Sequence, residues 1–288
     1  MSSRFLHRGA IFGASVSFLM LFSRCGTNAP TVISYPPISP ANITGNWELT
    51  ANFTSLGTSP ISLGPASFAI YMTSNAGSVS GFAIGPPAND LLVYPDGCVG
   101  GPFGRFDVAL TGQVDGNGKL TLSSPASTIP AFTMSGSVSG STISGGSFTL
   151  ACSSSGSTAQ GTITGIEYPP LNGTFAGTLT SQLTGQSFAL SATLNQSGAP
   201  NSNGLLSLAG TVNVGGYSYI PSAAMPIPSD FTFVGNDFGV YPTPSGGEAL
   251  YLTVALSSDG RTLGVTYGTF PSGGGLTQDY GTGTLTLQ

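Results

Sequence analysis

Apolar and polar residues alternate along most of this chain, and this period of two limits the fold more than any other feature. The alternating runs are 47–53, 106–114, 120–122, 188–194, 206–214, 250–256 and 263–267. A period of two places successive side chains on opposite faces of a strand, so each run has one apolar face. Parallel sheets covered by helices on both sides need strands that are apolar throughout. The pattern therefore predicts antiparallel sheets.

Short turn signals separate the alternating runs. They are Asp115-Gly116-Asn117-Gly118, Ser139-Gly140, Asn203-Gly204 and Asp259-Gly260. Asn and Gly tolerate the positive φ of tight hairpins, so each signal predicts a direct link between two neighbouring strands. We expect up-and-down connectivity with six to eight strands in each unit. A small barrel and a sandwich both satisfy this pattern.

The sequence contains an internal repeat. Ser67-Phe68-Ala69-Ile70 resembles the segment 120 residues further on (67 to 187), and Ile43–Trp47 resembles Leu171–Phe175 at a shift of 128 (47 to 175). We predict an all-β protein with two tandem antiparallel β-barrel or β-sandwich units. The predicted segments are a signal peptide (1–24), an anchoring cysteine with a Pro-rich linker (25–41), and β-units at 42–167 and 168–288.

The first 24 residues indicate export. Arg4, His7 and Arg8 precede an apolar stretch at 9–22, which is shorter than the roughly 20 residues of a membrane-spanning helix. Ser23-Arg24-Cys25 follows and resembles the lipobox of bacterial lipoproteins, which implies that Cys25 is acylated. Phe22 and Arg24 depart from the Leu and small residue of that motif. An ordinary secretion signal and an uncleaved anchor are therefore alternatives.

Three cysteines are an odd number for an exported chain. Lipidation of Cys25 leaves Cys98 and Cys152, both within the first unit, to form a disulfide in an oxidising compartment. Such a bond stabilises a fold by about 4 kcal/mol in the chain-entropy description. The alternative is two reduced, buried thiols.

The layout of signal, cysteine, Pro-rich tether and tandem Gly/Ser/Thr-rich units resembles uncharacterised bacterial surface lipoproteins, which implies a place in the cell envelope and no activity. Gly45-Asn46-Trp47 resembles the G-x-W motif of lipocalin-type barrels, and Asp279-Tyr280 resembles another lipocalin element. The resemblance implies that Trp47 packs across a barrel floor. An ordinary core aromatic at a strand start is the other interpretation.

Charge and residue inventory exclude several functions. Only 6% of residues are charged, and removal of 1–24 leaves three cations against eleven acids, a net charge of −8. Such a chain cannot neutralise a run of phosphates, so we expect no nucleic-acid partner. His7 is the single histidine, which excludes a Ser-His-Asp triad and a His-liganded zinc in the mature chain. We expect no cofactor and no enzyme activity, although paired carboxylates for glycoside hydrolysis stay open.

Two loose oxygen clusters resemble metal sites weakly. The Asp115 turn lacks the downstream bidentate acid of a calcium loop and contains Lys119, so we expect a hairpin and no metal there. Asp230, Asn236 and Asp237 form an equally loose second group.

One region is unusually aromatic. Residues 217–241 contain Tyr217, Tyr219, Phe231, Phe233, Phe238 and Tyr241, and the corresponding 85–106 contains Tyr94, Phe103 and Phe106. These segments are either a binding edge for a sugar or protein, or a cover over an open barrel end or sheet edge.

The sequence thus predicts an exported, lipid-anchored, non-catalytic surface protein that acts as an interaction or structural module. Its partners are the membrane, through the anchor, and a protein or glycan; its oligomeric state and its ligand stay open. The alternatives are a lipocalin-like carrier of a small apolar ligand in the periplasm or medium, and a carbohydrate-active enzyme with two carboxylates.

Overall fold

The structure is a computed structural model. It describes residues 39–57, 59–60, 65–85, 107–125, 128, 131–151, 158–216, 223–240, 249–270 and 278–288. Strands joined by turns and short irregular segments account for these ranges, and none of them contains a helix able to cross a membrane. The prediction of an all-β protein with tandem antiparallel units is confirmed.

The first unit is a closed eight-stranded barrel. Its strands are β1 (Gly45–Leu56), β3 (Ala66–Asn75), β4 (Ser78–Ile84), β5 (Asp107–Val114), β6 (Lys119–Ser123), β7 (Ala131–Ser139), β8 (Thr142–Ala151) and β9 (Thr158–Tyr168), and the short β2 (Ser59–Pro60) pairs with the end of β1. Each barrel strand pairs antiparallel with the next, and β9 returns to pair with β1. The predicted up-and-down connectivity is therefore present, and the first unit is a barrel.

The second unit is a half-barrel that begins four residues after β9 ends. Its strands are β10 (Asn172–Ser181), β11 (Ser187–Gln196), β12 (Leu206–Val214), β13 (Ala223–Pro226), β14 (Thr232–Phe233), β15 (Asp237–Val240), β16 (Ala249–Leu256), β17 (Thr262–Phe270) and β18 (Asp279–Leu287). The order across the sheet is β13-β12-β11-β10-β18-β17-β16-β15, and β14 pairs with β12. No ladder joins the edge strands β13 and β15 within the described ranges.

Buried side chains alternate with more exposed ones along the first strand, as the sequence predicts. Trp47, Leu49, Ala51 and Phe53 point into the barrel core and are buried, whereas Asn52 between them is exposed. Trp47 is completely buried, and its indole N–H donates to the carbonyl of Ile43 (3.1 Å). Each unit has its own cluster of buried apolar side chains, so each sheet encloses a separate core.

The four predicted turns all connect neighbouring strands. The Asp115 carboxylate accepts hydrogen bonds from the backbone N–H groups of Asn117 (2.9 Å) and Lys119 (2.8 Å), which fixes the β5–β6 hairpin. Gly118, Gly140, Gly204 and Gly260 in these turns all have positive φ. The predicted hairpin is therefore present, and Asp115 Oδ1 stabilises it.

The internal repeat is reproduced in strand register. Thr50 pairs with Thr164 across β1–β9, and Thr178 pairs with Thr284 across β10–β18. These pairs are related by the two shifts seen in the sequence (50 to 178, 164 to 284). Because equivalent residues form equivalent ladders, positions in one unit can be compared directly with those in the other.

Candidate functional site

A cleft of about 680 Å³ lies between the two units. One wall is the outer face of the barrel at β1, β3 and β4, and the other is residues 231–239 with Leu205, which precedes β12, and Ala255 of β16. Ile38–Gln288 form one compact unit, so the two walls belong to one folded body. The first wall includes Glu48, Ala69 and Ile84, and the second includes Phe231, Asn236 and Asp237.

One buried side chain joins the two walls. Asn46 lies on the outer face of the barrel but is only 2% exposed, because the second unit covers it. Its amide Nδ2 donates to the carbonyl of Gly235 (2.8 Å), and its Oδ1 accepts from the backbone N–H of Gly235 (2.8 Å). Both hydrogen-bonding groups of one backbone residue are thereby satisfied by one side chain.

Gly235 is required at this contact for two reasons. Its φ of +83° is a conformation that residues with a Cβ adopt only at a cost. A Cβ added there would also lie 2.7 Å from the Cβ of Ala69 on β3. The second unit can therefore approach β3 this closely only because residue 235 has no side chain.

Two further contacts fix the relation of the walls. The Gly204 turn lies against Phe82 of β4, where an added Cβ would be 2.6 Å from the Phe82 Cβ. Tyr71 on β3 donates its hydroxyl to the carbonyl of Gly198 (3.4 Å). Both contacts lie on the β3–β4 side of the Asn46–Gly235 pair and add to the packing between the two units.

Glu48 is the principal polar group of the first wall. It lies two residues beyond Asn46 on the same face of β1, and its cross-strand neighbours are Ala69 and Ile166. The Glu48 Oε2 atom is buried and has no hydrogen-bond partner within the described part of the chain. Burial of a polar atom without a partner costs free energy, so a hydrogen-bond donor placed at this oxygen would be favoured.

Each wall of the cleft contributes one acid, Glu48 on the first and Asp237 on the second. Tyr168 interacts with Glu48 and Asn236 without lining the cleft itself. Burial raises the pKa of the Tyr168 phenol, and the negative charge of Glu48 raises that pKa further, whereas a hydrogen bond with Asn236 lowers it. Burial also raises the pKa of Asp237, and a hydrogen bond from the backbone of Phe238 opposes the shift. The residues that line the cleft include no Lys, Arg or His.

The aromatic segment contributes both to a core and to the cleft. Phe233 and Phe238 are buried in the core of the second unit with ring centroids 4.8 Å apart, as a cover over a sheet would be. Phe231 is half-buried, packs 6.1 Å from Phe238 and lines the cleft, as a binding edge would. The remaining aromatic residues of the prediction lie outside the described residues: Tyr94, Phe103, Phe106, Tyr217, Tyr219 and Tyr241.

The other residues singled out in the sequence have varied positions. Cys25, Cys98 and Cys152 lie outside the described residues, so lipidation and the disulfide stay predictions. Asn236 and Asp237 line the cleft, whereas Asp230 is exposed and does not. Within the described ranges, no three His, Cys, Asp or Glu side chains lie together as a metal site would require.

A second polar cluster is buried at one end of the second unit. The fully buried Asp279 accepts hydrogen bonds from the hydroxyls of Ser181 (2.7 Å) and Tyr267 (2.6 Å), and its backbone N–H donates to Thr269 (3.0 Å). The Ser181 hydroxyl also accepts from the backbone N–H of Thr184 in the β10–β11 turn (2.9 Å). The described hydrogen bonds of this cluster are internal, so it holds the turn in place.

Strand register shows that this cluster is specific to the second unit. Three register pairs of the second unit have counterparts in the barrel. Ser181–Gly281 corresponds to Phe53–Gly161, Tyr267–Gly281 to Phe148–Gly161, and Thr269–Asp279 to Leu150–Ala159. The corresponding barrel positions are thus all apolar or glycine. Aligning the two repeats at the shifts of 128 and 120 pairs Ser181 with Phe53 and Asp279 with Ala159, which is the signal for this cluster in the sequence. The counterparts of Tyr267 and Thr269 are found only from strand register, because a β-bulge interrupts the β8–β9 ladder between Ile143 and Gly146.

The sequence matches no protein-family profile and no curated protein. Among solved structures, it is similar to kievitone hydratase from Nectria haematococca, with a TM-score of 0.27, 11% identity, and coverage of 87% of this chain and 91% of that one. It is also similar to a DUF3598-family protein of unknown function from Nostoc punctiforme, with a TM-score of 0.25, 9% identity, and coverage of 85% and 96%. Neither similarity is close enough to assign a function.

Proposed function

We propose that this protein is an exported, non-catalytic binding protein of the bacterial cell envelope, anchored through Cys25, whose ligand site is the cleft between its two β-units. The proposal rests on the cleft, which has a volume of about 680 Å³ between two walls of one compact unit. One wall contains Oε2 of Glu48, which has no hydrogen-bond partner among the described residues. Ligand pockets commonly have volumes of about 300–1,000 Å³ and combine apolar walls with a few polar groups.

The available chemistry supports binding over catalysis. The described residues include no histidine and no cysteine, so the usual nucleophile–base pairs cannot be built from them. The Ser181–Asp279–Tyr267 cluster is buried beneath the surface and lies in the second unit, away from the residues that line the cleft.

The packing of the barrel favours the cleft over the barrel interior as the ligand site. Large side chains fill that interior, among them Trp47, Phe68, Phe132 and Phe148, and all four are buried in one apolar cluster. The ring centroid of Phe132 lies 6.2 Å from that of Phe68 and 6.1 Å from that of Phe148. A lipocalin-like carrier would need space where these side chains lie.

Native mass spectrometry of protein isolated from its source cells tests the site. We compare wild type with Ser67→Trp, which places an indole in the cleft, and with Ser137→Trp, an exposed position on β7 that does not line the cleft. The proposal expects a small molecule bound to wild type and Ser137→Trp and absent from Ser67→Trp. Retention of that molecule by Ser67→Trp contradicts the site.

The anchor has its own test. Metabolic labelling with an alkyne fatty acid should label wild type, and Cys25→Ala should lose the label. An exported but unlabelled wild type contradicts the anchor and leaves a soluble secreted or periplasmic binding protein.

A carbohydrate-active enzyme is the second candidate, because Glu48 and Asp237 bring two carboxyl groups to the same cleft. A raised pKa, as at Asp237, suits a general acid, and the second carboxylate would act as base or nucleophile. Hydrolysis of a polysaccharide by wild type, abolished separately by Glu48→Gln and by Asp237→Asn, would support this candidate. Hydrolysis that survives both substitutions excludes these residues.

A further inference from the structure

We propose that the ligand of the cleft is a small organic cation, an ammonium or amidinium group attached to an apolar body, and that its positive group pairs with Glu48. This inference rests on the proposed function, since it assigns a chemical class to the ligand of that same cleft. It goes beyond that function by naming the feature that the site selects.

The unsatisfied oxygen of Glu48 indicates which kind of group the ligand presents to it. Its Oε2 is buried with no hydrogen-bond partner in the described part of the chain, and the flanking residues on β3 and β9 are Ala69 and Ile166. A carboxylate accepts hydrogen bonds and donates none, so the missing partner must be a donor. A charged donor makes a shorter and stronger bond to a carboxylate than a neutral one does.

The charge of the cleft walls favours a cationic ligand. Asp237 faces the same cleft, and no Lys, Arg or His lines it. Lys119 and Arg261 are the cations in the described ranges, and both belong to turn regions outside the cleft. An anionic ligand would be repelled from both walls, whereas a cation would neutralise charge that the protein leaves uncompensated.

The apolar surface beside the two acids favours an organic cation over a metal ion. Phe231 presents a half-buried aromatic ring, and Ile84 and Leu205 add aliphatic surface. An aromatic face attracts an organic cation and also packs against an apolar body. A hydrated metal ion would use neither surface, and the described residues offer no third acidic ligand beside the two acids.

Isothermal titration calorimetry tests the inference with matched probes. Phenethylammonium and benzamidinium are the cations; phenethyl alcohol is the neutral partner of the first, and calcium chloride and cellohexaose represent the other ligand classes. The proteins are wild type, Glu48→Gln, Asp237→Asn and, as control, Glu167→Gln. Glu167 is a partly buried acid of β9 that lies over Gly45 and does not line the cleft.

Wild type should bind at least one cation about tenfold or more tightly than phenethyl alcohol, since one well-placed charged contact stabilises a complex by this much. Glu48→Gln should abolish the preference, Asp237→Asn should reduce it, and Glu167→Gln should leave it unchanged. A melting curve for each variant shows that it folds.

Three results would overturn the inference: equal affinity for the ammonium and the alcohol, a cation preference that survives in Glu48→Gln, or binding of cellohexaose or calcium with none of the cations. Each of these leaves the proposed function intact if Ser67→Trp still loses the co-purified molecule. Retention of that molecule by Ser67→Trp overturns the proposed function as well, because the site itself is then elsewhere.

Discussion

Asn46 and Gly235 are 189 residues apart in sequence, yet one side-chain amide and one backbone residue exchange two hydrogen bonds of 2.8 Å between them. The pair connects the first strand of the closed barrel to the segment that forms the opposite wall of the cleft. Because Asn46 satisfies both polar groups of Gly235, the contact can be buried at no cost in unpaired hydrogen-bonding groups. The geometry of the cleft therefore depends on this one polar contact and the close packing around it.

Asn46→Ala should lower the free energy of unfolding by about 3 kcal/mol, because it leaves the N–H and C=O of Gly235 buried without partners. Urea denaturation measures the effect. Asn52→Ala is the matched control, since Asn52 lies on the same strand and is exposed. That substitution should change stability by no more than about 0.5 kcal/mol. Equal effects of the two would show that the Asn46 contact does not join the units.

Gly235→Ala tests the close approach itself. Gly140 also has positive φ (+57°), but an added Cβ there meets nothing within 4 Å. Gly140→Ala should cost about 1–2 kcal/mol for backbone strain alone. Gly235→Ala should cost about 2 kcal/mol more, because the new methyl group overlaps Ala69. Similar losses of melting temperature for the two variants would contradict the close packing of Gly235 against Ala69.

The fold was predictable because it depends on local, periodic signals. Alternating residues such as Trp47 and Leu49 predict strands, and turn residues such as Gly118 and Gly140 locate the hairpins. The repeat predicts that Trp47 and Phe175 occupy equivalent places, and both are fully buried at the start of the first strand of each unit. Closure of the first sheet was not predictable, since the same alternation suits a sandwich.

The cleft was only partly predictable, because it depends on contacts between residues far apart in sequence. The aromatic segment that contains Phe231 was identified, and so were Asn236 and Asp237, although as a weak metal site. Asn46 and Glu48 occupy the polar positions of an alternating strand, which normally face water. Nothing local distinguishes them from exposed residues, so their roles emerge only when the second unit covers the face of β1.

The buried acid of the second unit should be essential for stability. Asp279→Ala leaves the hydroxyls of Tyr267 and Ser181 buried without their acceptor and should cost about 3 kcal/mol. Thermal and urea unfolding measure the loss, and Asp230→Ala, at an exposed acid, is the control. The reverse exchange, Ala159→Asp, puts a carboxyl group among apolar barrel residues and should also destabilise. An unaffected Asp279→Ala would contradict the hydrogen-bond network.

Two aspartates should affect the pH dependence of stability in opposite directions. Burial raises the pKa of Asp237 above its ordinary 3.8. The contribution of Asp237 to the free energy of unfolding is therefore fully present below pH 3.8 and is lost as the pH rises through the folded-state pKa. Asp237→Asn should therefore gain stability relative to wild type as pH increases. A hydrogen bond from Ser257 lowers the pKa of Asp259, whose contribution is present above 3.8 and is lost as pH falls. Urea unfolding at pH 3–7 measures how the stability difference between wild type and each variant, Asp237→Asn or Asp259→Asn, changes with pH. Differences that change in the same direction for both variants would contradict the opposite pKa shifts.

The most direct test of the cleft as the ligand site is a crystal structure of the protein isolated from its source cells without removal of bound small molecules. We expect well-defined density for a small molecule in the cleft, with a donor group within hydrogen-bonding distance of Glu48 Oε2 and an apolar part against Phe231. Density for a ligand inside the first barrel, or a ligand held only at the Asp279 end of the second unit, would contradict it.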